Sequence, residues 1–447
     1  MSKKNIIELV IVIILVITLV ILIGLYVKND DTQNTKSSSN TSMETPPDKP
    51  DGNLGKPGEN SESSNVSHIG ATEISSDTTN SEETYSSTTA SENALLVTSG
   101  TSTLTSPTIT KSGDSDGDSS DFYGTNAAVL AKDGTLNIAG GSVTTDGSHA
   151  NGVFAYSNGV INISETTIKT TGNNSGAVMV TGGGTLTANN VAAETSGNSS
   201  APIRSDRGGG TLTVNGGKYT SHGTGSPVVY STADITVNKA NLTSTASEGV
   251  VVEGKNSVTL NNVTMESTNT KLNGNSETYK SIFIYQSMSG DADVGTSSFT
   301  AKDSKIVNNK GDIIFVTNTS TVIELENNEI INNDTDGAFL KVGAAKWGTS
   351  GKNGGDVVLN DNNQKINGDI LVDNISTLDF SLENGSSYVG TINGDNTAKT
   401  IKVTLDSNST LTLTGDSYIT SLEDEDSSYS NINFNGYKLY VNGTAIN

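Results

Sequence analysis

Residues 126–150 read NAAVLAKDGTLNIAGGSVTTDGSHA, residues 151–175 read NGVFAYSNGVINISETTIKTTGNNS, and residues 176–200 read GAVMVTGGGTLTANNVAAETSGNSS. Laid over one another without gaps at a spacing of 25, they share one pattern. A short strand-like run leads to a glycine, and a second run follows it. The second run carries apolar residues at a start position, two places later and seven places later: Leu136, Ile138, Val143, then Ile161, Ile163, Ile168, then Leu186, Ala188, Ala193. A step of two keeps both side chains on one face of a strand. The further step of five says that the chain has turned a corner and started another strand facing the same interior.

The pattern runs on with looser spacing. It recurs as Leu212, Val214, Tyr219; Ile235, Val237, Leu242; Val258, Leu260, Met265; Phe299, Ala301, Ile306; and Ile323, Leu325, Ile330. Val357 and Leu359 open another set, broken at Gln364, and Leu378 and Phe380 open one more. No stretch of this region keeps a helical period, which excludes ankyrin and tetratricopeptide repeats, and the leucine-rich signature is missing. The prediction is an all-β fold, a single-stranded parallel β-helix solenoid of about a dozen coils over residues 68–447. With coils about 4.8 Å apart, such a rod is roughly 55–60 Å long. Three places after the first apolar residue stand Asn189, Asn215, Asn238, Asn261 and Asn360. Stacked at successive corners, these amides are expected to hydrogen-bond in a ladder and to tolerate left-handed backbone there.

These residues resemble the right-handed parallel β-helix (pectin-lyase-like) superfamily, which includes pectate lyases and bacterial surface adhesins. The coil length, the inward triplets and the asparagine ladder carry the resemblance over residues 68–447. Right-handedness is what the resemblance implies. Open strand edges at the ends of a solenoid need caps. Asn435-Gly436, set between Ile432-Asn433-Phe434 and the run 437–441, predicts a hairpin within a cap at about 430–447.

The start of the chain has another texture. Lys3 and Lys4 precede an uncharged apolar run over residues 9–27, and Asp30 and Asp31 follow it. At 1.5 Å per residue the run spans roughly 30 Å, the thickness of a bilayer core. Residues 1–28 therefore read as an N-terminal transmembrane signal-anchor with the N-terminus inside, a cleaved signal peptide being the alternative. Residues 29–67 are rich in Ser, Asn, Thr and Pro and read as a disordered linker that reaches roughly 35 Å on average. The expected location is the cell membrane, single-pass, with the solenoid extracellular. Neither a sorting motif nor a barrel follows the solenoid, which suggests a cell with one membrane.

The chain has no cysteine, so disulfides, a lipid-anchored cysteine and cysteine-based zinc sites are excluded. A net charge of −23 repels nucleic acid and excludes it as a partner. The two arginines, Arg204 and Arg207, flank Asp206. By the 25-residue alignment Ile203 points inward with Ala128, Val153 and Val178, while Arg204 stacks outward with Val129, Phe154 and Met179. A groove holding Phe154, Tyr156, Arg204, Asp206 and Arg207 suits a sugar, offering aromatic faces and charged partners. A plain surface ion pair of arginine with Asp206 is the competing reading. The resemblance implies a further one, in which Arg204 or Arg207 acts as the base of a polysaccharide lyase, but the acidic cluster such an enzyme needs is missing.

Asp114, Asp116 and Asp118 resemble the opening of a calcium loop, although Ser119 and Thr125 stand where Gly and Glu are wanted. No cofactor is required, and calcium is the one the sequence leaves open. Trp347, the one tryptophan, lies on a loop between coils, where it either meets a ligand or plugs a gap. His149 and His222 read as ordinary surface histidines. The expected function is that of a non-enzymatic, adhesin-like surface protein whose partner is carbohydrate or another cell-surface component. The alternative is a surface lyase or hydrolase of acidic polysaccharide.

Overall fold

The computed structural model describes residues 66–115 and 117–447. The apolar run 9–27, the linker up to residue 65 and Asp116 lie outside the described residues. Among those described, no helix is long and apolar enough to cross a membrane.

The described chain winds into a parallel β-solenoid of the right-handed type with about 15 turns, more than the dozen the triplets predict. The added turns have weak or offset triplets: Ser102, Leu104 and Ile109 stack in register on Leu136, Ile138 and Val143. At the other end Val403 and Leu405 stack on Phe380 and Leu382, and Leu411 on Tyr388. At about 4.8 Å per turn the rod is roughly 70 Å long.

Most turns contribute one strand to each of three faces. The first face is a 12-stranded sheet, the second a 14-stranded sheet and the third a 10-stranded sheet, which a 4-stranded sheet continues. The inward triplets line one continuous, mainly aliphatic core running through these turns, with aromatic rings such as Tyr219, Phe299 and Phe380 inside it. Parallel ladders buried on the inside call for β-branched and aliphatic residues, and the runs supply them.

Many corners are closed by a single left-handed residue, and others, such as Gly140-Gly141 and Gly216-Gly217, by two. After the second face the single ones include Glu165, Asn190, Lys239, Asn262 and Asn327, with φ of 49°, 50°, 54°, 56° and 52°. Asn189, Asn215, Asn238 and Asn261 sit one place earlier, in the last position of the strands Gly184–Asn189, Gly210–Asn215, Asp234–Asn238 and Ser257–Asn261. The ladder predicted from sequence therefore forms, with Nδ2 to Oδ1 distances of 3.0, 3.0 and 2.9 Å, but the left-handed geometry belongs to the next residue. Asn360 is not a rung. Leu359, not Val357, pairs with Ile323, so Asn362 holds the ladder position and Asn360 donates to Glu324 instead. The strands Thr319–Glu326 and Gly355–Asn362 extend to 8 residues, which moves the first apolar residue out of alignment.

A second ladder, of buried serines, stitches the corner before the first face. The backbone N–H groups of Ala150, Ser175 and Ser200 donate to the hydroxyls of Ser175, Ser200 and Ser226 at 3.0, 3.0 and 2.9 Å. These bonds satisfy buried backbone groups that the corner takes out of the sheet.

Asn435-Gly436 makes a turn with positive φ at both residues, 52° and 85°, closed by Tyr437 N–H to Phe434 C=O at 2.9 Å. It is a corner, not a hairpin: Ile432–Asn433 pairs with Leu411 and Thr412, while Leu439–Val441 pairs with Ser417–Ile419. The hairpin forms one step later across Asn442-Gly443, where Leu439–Val441 and Thr444–Ala445 make the only antiparallel pair among the described strands.

Candidate functional site

The outward side of the first face is where sequence places the sugar groove. Its residues do stack in one row, with Leu130, Phe154, Met179, Arg204 and Tyr230 in register, followed by Val251, Phe283 and Phe315. Phe154 pairs with Leu130 rather than Val129, and Val153 with Val129 rather than Ala128, because that step is 24 residues.

The row is covered, which corrects the open groove. A short helix, Asp118–Tyr123, lies over it, and Leu96, Ala127, Leu130, Phe154, Tyr156 and Met179 form a closed apolar cluster with Tyr123 packed against it. Tyr156 meets Tyr123 edge-on at 5.7 Å and stacks with His68 at 5.6 Å. Thr181 Oγ1 pins the cover by donating to Phe122 C=O at 2.6 Å. Phe154 is 0% exposed and Tyr156 5%, so neither presents a ring face to a ligand.

Arg204 and Asp206 are likewise buried, at 8% and 6% exposure. Arg204 donates to Asp206 Oδ2 at 3.0 Å and to Ser199 C=O at 3.2 Å. The ion pair of the competing reading exists, but beneath the surface. Arg207 stays half-exposed, its guanidinium 4.1 Å from the Phe122 ring centre and 3.0 Å from Asp291 Oδ1. Burial pushes the Asp206 carboxyl up to about 7; Arg204 pulls the other way, and Asp291 and Asp121 add repulsion.

Next to this pair lies a buried carboxyl that sequence reasoning missed. Glu253 accepts from Tyr230 Oη at 2.6 Å, from Tyr285 Oη at 3.0 Å and from Ser287 Oγ. Burial raises its affinity for a proton, and the three hydroxyls oppose that. No motif marks it, since its partners are spread over residues 230–287. Both lone histidines have a carboxylate at hand that spacing in the sequence does not show: His149 Nδ1 lies 2.9 Å from Asp121 Oδ2, and His222 Nε2 lies 3.6 Å from Glu194 Oε1.

Trp347 is half-buried and lies 5.2 Å from the ring centres of both Phe283 and Tyr285, over the cluster of Val251, Phe283 and Phe315. It plugs the outside of the first face. In the acidic loop, Asp114 Oδ1 accepts from Ser148 N–H at 2.8 Å and Asp118 opens the short helix. Asp116 is outside the described residues, and among those described no group of three His, Cys, Asp or Glu is arranged to hold a metal ion.

The second face is different. Its outward central row runs Asn137, Asn162, Thr187, Thr213, Thr236, Thr259, Thr300 in register, and Thr187 to Thr300 remain half-exposed. Toward the later turns the row before it opens into a groove of about 500 Å³, lined by Val322, Val358, Asp379 and Lys402 among others. Uncovered hydroxyls and amides beside a shallow apolar strip can bind a polyhydroxylated ligand; Asp379 and Lys402 lie in register on its floor. No protein-family model, no curated protein and no solved structure matches the chain.

Proposed function

We propose that the chain is a cell-surface solenoid, held at its own membrane through residues 9–27, that binds carbohydrate without cleaving it. The open second face carries this reading. Its outward hydroxyls and amides recur once per turn, about 4.8 Å apart, a pitch comparable to one sugar ring of a polymer. A ladder of such groups offers a glycan repeated hydrogen bonds, each weak alone and additive along the rod. The N-terminal apolar run, the linker and the acidic exported region support display at a surface, and the adhesin-like part rests on the β-helix resemblance.

One observation favours the rival hydrolase reading. Asp206, held near 7 by burial, has the proton affinity of a general acid, and Asp291 lies close enough to repel it. Its burial beneath the covering helix weighs against that role.

The test presents the full chain, in detergent and with calcium, to a panel of polysaccharides, reading both retention on immobilised glycan and release of reducing ends. Retention without cleavage is the expected result. Cleavage that disappears in Asp206→Asn or Arg204→Ala would replace binding by hydrolysis or elimination at the first face. A chain that neither retains nor cleaves any glycan sinks the carbohydrate reading.

A further inference from the structure

We propose that the late turns of the second face hold an acid-selective glycan site, taking an oligosaccharide that carries carboxylate or sulfate groups. This deepens, and rests on, the carbohydrate-binding reading. The outward row of the second face is polar at most turns. At two consecutive turns it becomes apolar, with Val322 in register with Val358, and Ser298 and Asp379 on either side. Val358 is 38% exposed, and the two valines form a strip in the groove of about 500 Å³. An apolar strip with a polar rim suits the C–H face of a sugar ring, and the volume lies in the range of ligand pockets.

A second pocket of about 550 Å³ adjoins the groove, the two sharing Asp356. Lys352, Lys399, Asn374, Gly351 and Gly354 line it. The charged groups around it have different partners. Asp356 Oδ1 accepts from Thr377 Oγ1 at 2.8 Å. The nearby Asp373 accepts from the N–H groups of Ala344 and Ile375 at 2.7 and 3.2 Å. Lys402 is paired with Glu423 at 3.0 Å. Lys352 and Lys399 are exposed and have no ion-pair partner among the described residues.

Lys352 and Lys399 outnumber Asp356, the one carboxylate that lines the pocket, and set its preference in a chain of net charge −23. A neutral sugar exchanges water hydrogen bonds for protein ones and gains little from the lysines. A carboxylate or sulfate gains charge-assisted bonds, which are about twice as strong. At physiological ionic strength screening over about 8 Å shields the acid group from most of the distant negative charge. Asp379, on the valine strip, repels an acid group there. The ligand therefore lays the C–H face of one ring on Val322 and Val358, with that ring's acid group turned away from Asp379, and places a further acid group between Lys352 and Lys399.

The experiment measures binding of the full chain, in detergent at about 0.15 M ionic strength, to dextran, dextran sulfate, polygalacturonate and poly-L-glutamate. Dextran and its sulfate share a backbone and differ in charge; poly-L-glutamate has charge and no sugar ring. Dextran sulfate or polygalacturonate, or both, should bind at least about tenfold more tightly than either dextran or poly-L-glutamate. Which of the two acids wins assigns sulfate or carboxylate. The double variant Lys352→Gln, Lys399→Gln changes exposed side chains only and should fold with unchanged melting temperature while losing about tenfold in affinity for the acidic glycan. Equal binding of dextran and dextran sulfate, equal binding of poly-L-glutamate, or unchanged affinity in the double variant overturns the acid-selective site but leaves glycan binding standing. No binding to any of the sugars overturns both.

Discussion

Asn215 donates its side-chain amide to Asn189 Oδ1 at 3.0 Å and accepts from Asn238 Nδ2, also at 3.0 Å. The rung is therefore bonded to the turn on either side of it. Asn189, at the start of the row, accepts from Asn215 but pairs in the previous turn with Ser164, which lacks an amide. Removing a middle rung breaks two bonds and removing the first breaks one. At about 1 kcal/mol net for each, Asn215→Ala should cost about twice as much as Asn189→Ala in denaturant unfolding. Equal losses would mean that the ladder adds nothing beyond each residue's own corner.

A stack of glycines lies at the corner after the third face. A Cβ added at Gly172 would collide with the carbonyl oxygen of Gly147, one at Gly197 with that of Gly172, and one at Gly223 with that of Gly197. The backbones of successive turns touch there, and only a residue without a side chain permits it. Gly197→Ala should lower the melting temperature by several degrees, whereas Gly385→Ser, at an open corner with nothing near its Cβ, should cost less despite its φ of 82°. The comparison separates crowding between turns from backbone strain.

These two ladders show what a single sequence can reveal. Gly147, Gly172 and Gly197 recur at the same period as Leu136, Ile161 and Leu186, so the stack was legible, and so were the inward triplets, because alternation by two leaves little freedom. The serine rungs were equally visible at Ser175 and Ser200. Burial of Arg204 and Phe154 was not. Their cover comes from Asp118–Tyr123, a helix of 6 residues whose packing over strands dozens of residues later leaves no periodic mark. Val357 departs from the expected register for a local reason: it lengthens its strand at the front, and alternation alone cannot tell a longer strand from a shifted one.

That shift hides an acid in the core. Asp361 occupies the inward position held by Leu325 in the turn before and Leu382 in the turn after, is 1% exposed, and neither carboxyl oxygen has a hydrogen-bond partner. Burial, with Glu324 adding repulsion, holds it well above the ordinary carboxyl range. Asp361→Leu restores the side chain its neighbours carry and should stabilise the solenoid by about 1–3 kcal/mol. A destabilised variant would show that the site has no room for a leucine or that the acid has a partner after all.

Asp206 sets a pH dependence of defined sign. Its carboxyl binds a proton more tightly in the folded chain, at about 7 against an ordinary 3.8. Between those values the folded state holds more protons than the unfolded one, so this contribution is complete below about pH 4 and is lost as pH rises through about 7. Thermal unfolding from pH 4.5 to 8 should show a downward slope that is shallower in Asp206→Asn. The slope, not the absolute melting temperature, is diagnostic, because the substitution also leaves Arg204 without its anion. A variant with the wild-type slope would assign the dependence to other groups.

Trp347 gives the last test, because it is the chain's one tryptophan and reports on the cover of the first face. Its segment is tied down from below: Asn353 Nδ2 donates to the carbonyls of Ala345 and Trp347 at 2.6 and 2.9 Å. The indole then rests on Phe283 and Tyr285. Trp347→Ala uncovers that stack and should cost about 1–3 kcal/mol, less than a fully buried tryptophan because the ring is only half-buried. Trp347→Phe, which keeps an aromatic plug, should cost less. Lys352 lies in the same segment, so the alanine variant should also weaken binding of acidic glycans, and the phenylalanine variant should preserve it. A Trp347→Ala chain with unchanged stability and no glycan binding would reverse the assignment: the tryptophan would then be a ligand contact, and the first face would return as the binding surface.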